Sequence, residues 1–144
     1  NADKIEFKYP QQKDFPPRKD SLYFDTEGFF HLNDYLYIFT KNRTRPYSGK
    51  TLIYRVPDKE GEYEAEFLGS LFLCADQDHC SVTSADISPD GRTIALLSYG
   101  FVFLITDFSI PDFNKSSIKI IDLNTDTQIE SVCFADDKIK ELDI

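Results

Sequence analysis

Three fourteen-residue stretches of the chain align without a gap: EGFFHLNDYLYIFT from Glu27, ADISPDGRTIALLS from Ala85 and ESVCFADDKIKELD from Glu130. Apolar positions coincide at Phe29, Ile87 and Val132, and again at Leu36, Ile94 and Ile139, with the intervening turn residues at the same offsets. The copies start 58 and 45 residues apart. Self-similarity at such a period means that one supersecondary unit recurs, and that each copy buries its faces against a neighbour.

The unit reads as strands. Gly28 to Leu32 and Tyr35 to Phe39 are apolar runs separated by the turn pair Asn33-Asp34, which predicts a hairpin. TLIYRV, a turn over Pro57 to Gly61, and YEAEFLGSLFL, in which Tyr63, Ala65 and Phe67 alternate with glutamates, supply two more strands. The second copy repeats this grammar with Ala85 to Ser88, the turn Pro89-Asp90-Gly91, Thr93 to Ser98, Phe101 to Asp107 and IKIIDL. Before the first copy, Ile5, Phe7 and Tyr9 alternate with Glu6 and Lys8 as a strand with one wet face, followed by the polar, Pro-containing connector QQKDFPPRKDS. An aromatic share of 15% suits pleated, half-buried surfaces. No segment has a convincing helical period, and only Asp136 to Ile144 is ambiguous.

Four antiparallel strands in a meander, repeated, have the size and layout of β-propeller blades. The expected fold is therefore all-β: about two and a half blades in one partial propeller domain over residues 1–144, with a β-sandwich as the alternative. The strand at 5–9 stands apart, 22–73 forms the first blade, 82–123 the second, and 128–144 begins a third. Propellers close with more blades than this, so the chain is expected to be a fragment, with the remaining blades supplied by the same or another chain.

ISPDGRTIAL resembles the Ser-Pro-Asp-Gly blade motif of TolB-type propellers. DTEGFF, LYIFTKNR, TLIYRV and TSADISPDG, in that order, are similar to a group of secreted or cell-envelope bacterial propellers, related in style to phytase-like and esterase-like propellers. The resemblance spans roughly residues 20–135. It implies a fold and a secreted, periplasmic or cell-envelope location, and little about chemistry.

A net charge of −9 repels a phosphate backbone, which argues against nucleic-acid binding. No apolar run approaches the length of a membrane span. Cys74 and Cys80 lie close enough in CADQDHC to staple a short loop in an oxidising compartment, or are free thiols; Cys133 has no sequence neighbour. Asn42-Arg43-Thr44 and Asn114-Lys115-Ser116 fit the glycosylation sequon.

In a propeller the first strand of each blade lines the channel, and its beginning shares a face with the loop after the second strand. Glu27, Asp86 and Glu130 then stand near inner-strand starts, with Lys41, Asn42 and Arg43 on the same face. Converging carboxylates repel unless a cation holds them, which makes calcium the candidate metal at Glu27, Asp86 and Glu130, with Asp25 as a helper. Otherwise these acids cap strands, are solvated, or pair with Lys41 or Arg43, the two residues expected to bind ligand. His31 reads as structural, and His79 matches no standard zinc finger. No nucleophile elbow or phosphate loop is present. Two functions are expected: a non-catalytic propeller scaffold binding a protein or glycan partner, or a calcium-dependent hydrolase of an ester or phosphoester at the channel.

Overall fold

A computed structural model describes residues 4–13, 18, 24–110, 112–113, 115–125 and 131–136. The first repeat opens with β2 (Asp25–Leu32) and β3 (Tyr35–Lys41), β1 (Ile5–Lys8) lying ahead of it. Their hairpin turns at Asn33, whose φ of 55° is a left-handed value that Asn tolerates better than most residues. β4 (Lys50–Pro57) and, after a short β5 (Gly61–Glu64), β6 (Glu66–Phe72) complete a four-stranded antiparallel sheet in the order β2-β3-β4-β6. The second repeat, β7 (Ser84–Ile87), β8 (Ile94–Leu97), β9 (Phe101–Thr106) and β10 (Ser117–Asp122), is again four strands in sequence order. Sequential antiparallel pairing is what short turn-linked strands achieve at least loop-closure entropy.

The Ser-Pro-Asp-Gly turn between β7 and β8 is locked from within. Ser88 Oγ donates to Asp90 Oδ1 (2.6 Å) and accepts from the Thr93 N–H (3.0 Å), while Asp90 Oδ1 also accepts from the Arg92 N–H (3.0 Å). Gly91 carries the left-handed φ of 74° that closes it.

The two sheets pack face to face. Phe30, Tyr37, Phe39, Ile53 and Leu71 of the first meet Ile94, Leu96, Phe103 and Ile105 of the second in one buried cluster. Period-2 alternation sends the intervening residues to the outer faces. Ile38, Tyr54 and Val56 bury against Tyr9 on one side, and Ala95, Leu97, Val102 and Leu104 bury against Val132 on the other. Both faces of both sheets therefore hold apolar clusters, which explains why β8 is buried at every position. Where β2 nears the second repeat, a Cβ on Gly28 would lie 3.0 Å from Val82 Cγ1 and 3.3 Å from Ala85 Cβ, so only glycine fits without displacement. At the far end, the Val132 N–H donates to Ser84 Oγ (3.4 Å) and the Phe134 N–H to Asp86 Oδ2 (2.7 Å), laying residues 131–136 along β7.

The fold is all-β with one short helix and no closed sheet among the described residues. Two meanders packed face to face are common to a β-sandwich and to neighbouring propeller blades. Two local readings are corrected. YEAEFLGSLFL divides at Ala65, because β5 leaves β4 to pair in parallel with β1, and the Ala65 N–H donates to the Lys8 carbonyl (2.9 Å). Tyr63, Ala65 and Phe67 nevertheless keep one face, against the Tyr9 and Tyr54 cluster. Residues 77–80, within CADQDHC, form a helical turn, α1 (Gln77–Cys80), capped by the Asp76 side chain accepting from the Asp78 N–H. Among the described residues, no helix is long and apolar enough to cross a membrane.

Candidate functional site

Three connections meet at a solvent-open recess of about 590 Å³. The β3–β4 loop brings Lys41, Asn42 and Arg43; the β6–β7 connector brings Gln77, Asp78, His79 and Ser81; the β8–β9 turn brings Tyr99. Every lining side chain carries a polar atom.

Lys41 closes β3 with its side chain only 9% exposed. A buried ammonium needs partners to offset lost hydration. Lys41 Nζ donates to Glu27 Oε1 (3.3 Å) and to the Tyr99 hydroxyl (3.1 Å), and lies 5.2 Å from the centre of the Tyr99 ring. Glu27 occupies a β-bulge, since the register of β2 on β3 passes from Thr26–Thr40 to Gly28–Phe39 and skips it. A bulge re-aims a side chain, here toward Lys41. Arg43 is anchored through Nε to Asp25 Oδ2 (2.9 Å), with Nη2 3.6 Å from Glu27 Oε1.

The loop beneath is held by Asn42. Its Oδ1 accepts from both the Thr44 N–H (2.8 Å) and hydroxyl (2.7 Å), and its Nδ2 donates to Ser48 Oγ (2.7 Å). Asn42 is buried, so its amide has no exit for a glycan despite the sequon; Asn114 lies outside the described residues.

The opposite wall is strapped. Cys74 and Cys80 form a disulfide, with Cα atoms 5.8 Å apart, around the turn that carries Gln77, Asp78 and His79. Ser81 Oγ donates to the Asn42 carbonyl (3.0 Å), and Ser98 Oγ donates to the His79 carbonyl, fastening the strap to both sheets. His79 Nδ1 meets Asp76 Oδ2, and this hydrogen bond holds the Asp76 carboxyl below its usual range.

The structure thus gathers Glu27, Lys41, Arg43 and Asp25 of the sequence-selected residues. The Asp86 carboxylate accepts the Phe134 N–H, and Glu130 lies outside the described residues. Among the described residues, no group of three or more His, Cys, Asp or Glu side chains converges as a metal site. His31, read as structural, pairs with Asp58 (2.8 Å) and ties β2 to the turn after β4. Sequence reasoning weighed the Cys74–Cys80 staple and His79 but missed Tyr99, Gln77, Asp78 and Ser81. A signal for Tyr99 existed, because it follows its registered block by one residue, as Lys41 follows its own. No family model, curated protein or solved structure matches the chain.

Proposed function

We propose that the chain is part of a propeller-type array of four-stranded repeats, located outside the cytoplasm, that acts as a non-catalytic binding module. Its interaction site is the Lys41–Tyr99 recess. The observation that carries this reading is that loops from both repeats meet in one recess whose two cations are already oriented by Glu27, Asp25 and Tyr99. Groups held in advance bind without further loss of side-chain freedom.

Stacking beyond two layers supports a propeller over a sandwich. Each sheet has an apolar cluster on its outer face, and residues 131–136 begin a further layer at the position where the third sequence copy starts. Phe29, Phe67 and Phe72, on the outer face of the first sheet, are the place for a preceding repeat. The Cys74–Cys80 bridge supports an oxidising, secreted or envelope location. Binding of a protein or glycan partner needs no reacting group, and the recess offers no activated nucleophile.

An array of glycans and of extracellular proteins, probed with the intact protein and with an Arg43→Gln/Tyr99→Ala variant, tests the assignment. Binding by the wild type that the variant loses is expected; binding unchanged in the variant overturns the recess. Calcium-dependent hydrolysis of an ester or phosphoester that Glu27→Gln abolishes would overturn the non-catalytic reading in favour of the hydrolase.

A further inference from the structure

We infer that the recess takes a neutral carbohydrate, recognised by its hydroxyl groups. The inference rests on the recess being the binding site proposed above, and it follows from how charge and hydrogen-bonding capacity are distributed there.

The two lining cations are electrostatically matched. Lys41 faces Glu27, and Arg43 faces Asp25 and Glu27, so two positive charges meet two negative ones, and Asp78 adds a further acid at the rim. An anionic ligand meets no net positive field in this arrangement, and a cationic ligand is opposed at short range by Lys41 and Arg43. Charge matching does not exhaust the donors. An ammonium has three protons and a guanidinium five N–H groups. Lys41 gives two of its protons to Glu27 and Tyr99, and Arg43 gives its Nε proton to Asp25. Tyr99 accepts from Lys41, which leaves the phenol's own proton for a further partner. Acceptors line the same recess, on the Asp78 carboxylate and the Gln77 amide.

A ligand complementary to interleaved donors and acceptors in a recess without a net positive field must donate and accept at closely spaced points. A sugar hydroxyl does both at one atom. The half-buried Tyr99 ring adds an apolar surface for the C–H face of a pyranose. An apolar ligand or a protein hot spot requires instead an apolar pocket to desolvate it, and no lining residue is purely apolar.

The test is amide-resolved NMR of the intact, isotope-labelled protein against cellohexaose, xylohexaose and mannohexaose, with oligogalacturonate and hexameric glucosamine as the charged arms. At least one neutral hexasaccharide is expected to shift the amides of Gln77, Asp78 and Tyr99. Its affinity should stay constant from about 50 to about 500 mM salt. Tyr99→Ala should weaken binding about tenfold or more, and Tyr99→Phe by less. Gln77→Ala, at an exposed position whose loss leaves the fold intact, should weaken it measurably with an otherwise native spectrum. Shifts of the same amides by a charged oligomer alone, weakening with salt, would overturn the neutral-saccharide assignment while leaving the recess as a binding site. Shifts confined to other faces would overturn the recess itself, and no shift by any neutral hexasaccharide would overturn the inference.

Discussion

Ser88 shows how much one small side chain can decide. It is buried, its hydroxyl donates to Asp90, and its oxygen accepts the Thr93 N–H that starts the return strand. Ser88→Ala leaves that buried N–H without its side-chain partner and is expected to destabilise the protein by about 1–3 kcal/mol, measured as a lower urea midpoint. Asp90 contributes with a definite pH signature. The Ser88 hydroxyl and then the Arg92 N–H hold its carboxyl below the ordinary 3.8. A depressed folded value means stability that is present above the unfolded value and lost as pH falls through the folded one. Thermal unfolding of the wild type and Asp90→Asn from near neutrality into acid should show a wild-type advantage that disappears on acidification. The motif was legible as a turn because Pro, Asp and Gly each act on their own backbone. Glu27 was legible as a site residue and pairing with Lys41 or Arg43 was one of its expected alternatives, but the bulge that aims it at both is not encoded by local patterning. Asp86, expected beside Glu27 at a calcium site, accepts the Phe134 N–H through its carboxylate.

At the scale of elements, the strap from Leu73 to Thr83 joins the two repeats and walls the recess. Its disulfide closes a loop with a sequence separation of 6. Chain-entropy arguments give a short loop of this kind about 2 kcal/mol of stabilisation. Reduction with dithiothreitol, or Cys74→Ser, is therefore expected to lower the unfolding free energy by about that amount, read from urea titrations with and without reductant. Tight hairpins such as β2–β3 could be read from sequence because the turn residues and the strand alternation agree over a few positions. The departure of β5 to β1 could not, since it arises from the parallel approach of a strand more than fifty residues away in sequence. The helical turn Gln77–Cys80 escaped for a related reason: a turn this short has no apolar period of its own, and its cap and bridge hold it.

For the whole molecule, the apolar faces decide what the chain does in isolation. Phe29, Phe67 and Phe72 are 59%, 42% and 57% exposed on the outer face of the first sheet, beside β1. Apolar surface of that kind favours self-association. A Phe29→Ser/Phe72→Ser variant should therefore sediment with a larger monomer fraction than the wild type at equal concentration, and an unchanged distribution would show that this face is not the contact. The sequence by itself determined the all-β class, the two four-stranded meanders and the positions of their turns, because alternation and turn chemistry act between residues close along the chain. Only the tertiary structure decided that Tyr99 meets Lys41, that the strapped turn lines the same recess, and that Asp86 accepts the Phe134 N–H. Those relations join residues up to 58 positions apart, and they are set by how two sheets pack, with Gly28 against Val82 and Phe39 within the shared core.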